Sequence, residues 1–135
     1  MASVLLYIPV TGELEERIQR AIGPQVLNEE TEAYRTIDNL SQRLVRLGDK
    51  PTIAVLLAPT RKELLDLYSI RHQFSDLRII LILPDQEEET ITRGHRLYPR
   101  FLSYVDSDFK DVAAVLGKMM TLNHFIKNSK QKGGE

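Results

Sequence analysis

Three runs of almost unbroken aliphatic residues constrain this chain more than any other feature: Ser3–Val10 (SVLLYIPV), Thr52–Ala58 (TIAVLLA) and Leu77–Leu83 (LRIILIL). A strand with one wet face alternates polar and apolar side chains, because successive residues point to opposite sides of the sheet. These runs do not alternate. Each therefore predicts a strand buried on both faces, as at the centre of a parallel sheet covered by helices. Arg100–Val105 (RFLSYV) is more mixed and suits an edge, and Gln25–Asn28, carried by Val26 and Leu27 alone, is the weakest strand candidate.

Helical spacing fills the gaps between these runs. Leu14, Ile18 and Ile22 form one stripe, and Ile37, Leu40, Leu44 and Leu47 form a second that ends at Gly48. Leu64, Leu67 and Tyr68 form a third, extended toward Phe74; Val112, Val115, Leu116, Met119, Leu122 or Asn123, and Ile126 mark a long last helix. Thr60 with Glu63, Asp85 with Glu88 and Asp108 with Asp111 have the spacing of N-terminal capping signals. Strand and helix thus alternate along the chain, which predicts an α/β fold with right-handed crossovers and helices on both sheet faces. The natural solution is a flavodoxin-like, doubly wound, five-stranded parallel sheet, (βα)5, in the order 2-1-3-4-5. Residues 1–127 are expected to form one domain; 128–135 (NSKQKGGE) lack an apolar anchor and are expected to form a flexible tail.

Composition narrows the chemistry. With no cysteine the chain has no disulfide, no thiolate nucleophile and no cysteine-ligated metal. Eighteen Lys and Arg against nineteen Asp and Glu give a net charge of -1, so no nucleic-acid partner is expected from overall electrostatics. The first ten residues lack a basic leader and a small-residue cleavage site, and no apolar run approaches the ~20 residues that span a bilayer. A cytoplasmic location without membrane attachment is the expectation.

Over residues 2 to about 127 the chain resembles the receiver domain of two-component response regulators. Tyr104, Val105, three further residues and Phe109 resemble the receiver pattern Tyr-Leu-x-Lys-Pro-Phe that leads into the fifth helix, and Leu64–Arg71 (LLDLYSIR) is similar to the receiver third helix. The resemblance implies a phosphoacceptor aspartate at the end of the third strand, an acidic pair after the first that helps hold Mg²⁺, a Thr or Ser after the fourth and a Lys after the fifth. None of these is present. Pro9, Val10, Thr11 and Gly12 follow the first strand; Ala58 stands near the phosphoacceptor position, with no carboxylate from Pro51 to Arg61. Pro84 takes the Thr/Ser position and Ser107 the Lys position, while Tyr104 keeps the aromatic one. Magnesium in such a site is held by carboxylate oxygens, and no carboxylate stands at these positions. The chain therefore resembles a degenerate receiver, a pseudo-receiver, and phosphotransfer is excluded. The resemblance further implies a protein-interaction face made by His95, Leu97, Tyr98, Tyr104, Lys110, Ala114 and Lys118.

The strand ends of an open α/β sheet form its usual ligand site. That rim should hold Thr11, Gly12, Thr60, Asp85, Asp106 and Asp108, with Asn28–Glu30 beside them. Thr11-Gly12 has too few glycines for a phosphate loop and is expected to be an ordinary turn with Thr11 as cap. Asp85, Asp106 and Asp108 could converge as a cation site, but two of them also fit helix N-caps, and capping is the expected role. His72, His95 and His124 lie on separate helices without metal-binding spacing, and no G-x-S-x-G motif occurs. Arg93, Arg96 and Arg100 form one basic cluster, and Lys127, Lys130 and Lys132 another. The expectation is a non-catalytic module that binds a protein partner or itself, as a homodimer, with neither metal nor cofactor. The alternative is a small-ligand or nucleotide sensor that uses the rim.

Overall fold

The protein, seen in a computed structural model, is described at residues 4–27, 29–46 and 52–133, the last part of the final helix by its backbone alone. Five strands alternate with five helices: β1 Val4–Tyr7, α1 Glu13–Ile22, β2 Thr31–Tyr34, α2 Ile37–Val45, β3 Thr52–Leu57, α3 Arg61–Ser69, β4 Leu77–Leu83, α4 Glu88–His95, β5 Phe101–Tyr104 and α5 Lys110–Gly133. All strand pairs are parallel, in the order β2-β1-β3-β4-β5. This is the expected flavodoxin-like arrangement.

The unbroken aliphatic runs are explained by the two layers they serve. Leu5, Tyr7, Ala54, Leu56, Ala58, Ile79, Leu81 and Leu83 pack with Leu40, Leu44, Leu64 and Leu67 from α2 and α3. Their neighbours Val4, Leu6, Ile8, Ile53, Val55, Leu57, Ile80 and Ile82 pack with Ile18, Ile22, Val112 and Leu116 from α1 and α5. Each fully buried Val, Leu or Ile among them stabilises the fold by about 1.5–3 kcal/mol. In α4 the buried positions are Thr90 and Gly94. A Cβ at Gly94 would meet the Leu83 and Leu81 side chains at 3.1–3.4 Å, so the glycine lets this short helix lie close on β4.

The second strand departs from expectation. Gln25 and Val26 belong to a 3-10 turn, Gly23–Val26, and β2 begins at Thr31. Pro24 opens that turn, as its fixed φ and missing N–H favour. Val26 packs on the α1–α5 core while Leu27 is 80% exposed, so the pair does not make a sheet face. Asn28, Leu47 and Gly48 lie outside the described residues, as do the side chains of Asn123, His124, Ile126, Lys127, Lys130 and Lys132. The expected domain limit at residue 127 falls inside α5, whose backbone is helical to Gly133.

Helix starts show where capping signals were read correctly. Thr60 accepts from the Glu63 N–H at 3.2 Å and caps α3. Thr11 does not cap α1. The N-cap is Gly12, at φ 103 and ψ -146, whose carbonyl accepts from the Glu16 N–H at 3.0 Å. That backbone region is accessible almost only to glycine. A Cβ at Gly12 would meet nothing within 4 Å, so Gly12→Ala tests backbone strain alone. It is expected to cost about 1–3 kcal/mol in urea unfolding; a loss within error would mean that the turn relaxes freely.

Candidate functional site

The carboxyl end of the sheet is closed by core and capping residues. Ala58 is fully buried, and its N–H donates to the Ile82 carbonyl at 2.9 Å, so the β3–β4 ladder continues through the position where the receiver resemblance looks for an acid. Pro84, directly after β4, is half-buried. Glu63, one turn into α3, accepts the Tyr7 hydroxyl at 3.0 Å. Burial first, and then this carboxylate, push the Tyr7 phenol well above its ordinary pKa.

The rim aspartates are held separately. Asp85 is not the N-cap of α4, which is Glu87; it accepts the Glu87 N–H at 2.9 Å in an Asx turn and pairs with Arg61 at 3.2 Å. Its pKa is lowered, first by the nearby Thr90 hydroxyl and then by the Glu87 N–H and Arg61. That hydroxyl is buried and lies within electrostatic reach of the carboxylate, but by distance and angle Thr90 Oγ1 has no hydrogen-bond partner among the described residues. Asp108 accepts the Lys110 N–H at 3.0 Å, and Asp106 is exposed. Among the described residues no three His, Asp or Glu side chains gather closely enough to hold a metal ion.

Arg17, on α1, is the organising group of this end and was not legible in the sequence. Its Nη2 donates to the Val105 carbonyl at 3.2 Å and also to the Ser107 carbonyl, and its guanidinium carbon lies 5.1 Å from the Phe109 ring centroid. Phe109 is fully buried at φ 62, a left-handed backbone that bulky residues rarely adopt. Ser107 adds a local clasp, its hydroxyl accepting the Phe109 N–H at 2.9 Å. The β5–α5 loop is thereby tied to α1 at the place where the resemblance expects a lysine.

The expected interaction face divides around β5. Lys110, Ala114 and Lys118 are exposed at four-residue spacing along α5, so they share one helix face. Tyr104 is half-buried and packs on the α2–α4 side of the sheet. His95 and Tyr98 are exposed at the far end of α4, but Leu97 is only 3% exposed and belongs to the core. Leu97 is therefore removed from the surface set: its N–H continues the helix turn to the Gly94 carbonyl at 3.1 Å, which swings the side chain inward and leaves Tyr98 outside. Tyr98 is 87% exposed at φ 53, a backbone strain of about 1–2 kcal/mol without packing in return.

A groove of about 780 Å³ opens beside Tyr98, at the amino ends of β4 and β5 and so opposite the rim. Tyr68, Arg71, His72, Phe74, Arg96 and Arg100 are among the residues that line it. The basic cluster read from the sequence is split here. Arg93 pairs with Glu89 at 2.7 Å, whereas Arg96 and Arg100 line the groove together with Arg71, from the 3-10 turn that follows α3. His72 joins them, while His95 lies outside.

No helix among the described residues is long and apolar enough to cross a membrane. No family model matches the chain, and neither a curated protein nor a solved structure does. The architecture itself, five parallel strands in the order 2-1-3-4-5 alternating with helices, is flavodoxin-like and compatible with a receiver domain.

Proposed function

We propose that the chain is a non-catalytic regulatory module that works by binding a protein partner or a second copy of itself, without phosphorylation. One observation carries this reading: the position of a receiver's phosphoacceptor is a fully buried alanine, Ala58, in the core cluster. A phosphoryl group needs an attacking carboxylate and a cation at that point, and the surrounding groups are aliphatic. The loop that would report the modification is tied down by Arg17. What remains for function is surface, with the α5 face of Lys110, Ala114 and Lys118 beside β5 as the first candidate.

Light scattering over a range of concentrations, with and without acetyl phosphate and Mg²⁺, tests the reading. The expected result is self-association that the phosphodonor leaves unchanged, weakened by Lys118→Glu, with no acyl phosphate formed. A strictly monomeric chain that acquires an acid-stable, hydroxylamine-sensitive phosphoryl label would overturn it.

A further inference from the structure

We propose that the groove at the amino ends of β4 and β5 binds a nucleoside phosphate, with the arginines holding the phosphate and Tyr98 stacking on the base. This goes beyond the interaction-module reading and does not depend on it.

Charge is the first argument. Arg71, Arg96 and Arg100 enter one concavity from two segments, and no Asp or Glu is among the described residues that line it. None of the three has an ion-pair partner among the described residues, although Arg35, Arg43, Arg61 and Arg93 each pair with a carboxylate. Unpaired guanidinium groups that line one groove raise its positive potential, which an anion would offset. Their planar donor forks match phosphate oxygens in pairs. Arg71 is already placed: its Nη1 donates to the Tyr68 carbonyl at 3.0 Å and its guanidinium lies 4.0 Å from the Tyr68 ring centroid.

The aromatic group is the second. Tyr98 is held in a left-handed conformation with almost its whole ring in solvent, at the lip of the same groove. A strained residue that presents a bare ring is placed for contact with something outside the fold. Rings of this kind receive nucleobases by stacking, a mode that any base satisfies. Leu97, 3% exposed, anchors the segment that carries it.

Size and surroundings select the scale of the ligand. A volume of about 780 Å³ lies in the range of small-molecule and cofactor sites. Arg96 also lines an adjoining hollow with Arg93, Glu88 and Glu89, and these two carboxylates oppose the continuation of a polyanionic strand along α4. An acidic peptide would satisfy the arginines but would leave the Tyr98 ring without a flat partner.

Isothermal titration of the full chain with ADP, GDP, CDP and UDP, alongside pyrophosphate and a ten-nucleotide single-stranded RNA, tests the assignment. At least one nucleoside diphosphate should bind one per chain and raise Tm. Arg96→Ala with Arg100→Ala, and separately Tyr98→Ala, should each weaken that binding about tenfold or more, as expected for loss of a charged clamp or a stacking ring. Arg93→Ala, outside the groove, should leave it unchanged. These exposed positions can be altered without disturbing the core, which a Tm of each free variant no lower than the parent's will verify. The proposal is overturned if no diphosphate binds, if binding survives the double arginine change, or if pyrophosphate binds as tightly as the nucleotides. Binding of the RNA alone would overturn it too, and would assign the groove to nucleic acid.

Discussion

Ala58→Asp is expected to destabilise the domain by about 3–5 kcal/mol at neutral pH, the cost of leaving a charge buried without a partner. The side chain at this position is fully enclosed, its backbone is committed to the β3–β4 ladder, and its neighbours in the cluster include Leu56, Leu64 and Leu81. Arg61, which opens α3 just beyond, is engaged by Asp85 at the surface. Against a typical total stability of about 5–15 kcal/mol, the loss is large.

The pH dependence follows from the same desolvation. Burial raises the folded-state pKa of the introduced carboxyl above its unfolded value of about 3.9. Below that unfolded value the acid is neutral in both states, and only the smaller cost of a buried neutral carboxyl remains. As pH rises through the window between the two pKa values, the penalty grows by about 1.4 kcal/mol per unit, and it levels off above the folded value. Urea unfolding of parent and variant from pH 4 to pH 8 should show the difference widening upward. A variant as stable as the parent at pH 7, and labelled by acetyl phosphate, would place this position in solvent and reopen phosphotransfer.

Arg17→Ala should cost about 2–4 kcal/mol, since a hydrogen bond to a charged group contributes about 1.5–3 kcal/mol and the ring contact about 0.5–1. Two carbonyls, those of Val105 and Ser107, lose their donor, and the left-handed turn at Phe109 loses the group stacked on its ring. Arg17→Lys should restore part of the stability, because an ammonium keeps the charge but lacks the planar guanidinium that lies over the Phe109 ring. The effect should be local as well as global. Amide exchange at residues 105–109 is expected to accelerate more than at β3 or β4. A loss below about 0.5 kcal/mol would show that the loop is held by the Ser107 clasp and the burial of Phe109 instead.

How much of this was legible in the sequence depended on the kind of constraint involved. β3 and β4 were plain because strands covered on both faces must be aliphatic at every position, as Thr52–Leu57 and Leu77–Leu83 are. β2 was missed because an edge strand needs no such run: Thr31 and Ala33 are exposed, and Glu32 and Tyr34 are only half-buried. Thr60 revealed its cap because the pattern is local, whereas Thr11 misled because the turn is decided by the φ of Gly12. Missing rim carboxylates needed no geometry to recognise. The amino-end groove did, since residues 68–77 and 96–100 meet only in the folded chain, and Arg96 with Arg100 supplied half of it. Arg17 carried no signal at all, for it sits in a charged stretch, Glu15-Glu16-Arg17, that reads as solvated helix surface.

The two outermost strands, β2 and β5, have four residues each, against six and seven in β3 and β4. Their brevity limits the unpaired N–H and C=O groups that the sheet offers to a strand from another molecule. On β2 the template is further spoiled by charge, with Glu32 bound to Arg43 at 2.7 Å and to the Tyr34 hydroxyl. Strand addition, by which an exposed sheet edge recruits a peptide strand, is thus poorly supported at either end. The surfaces this fold leaves for recognition are therefore the side chains of its helices and loops.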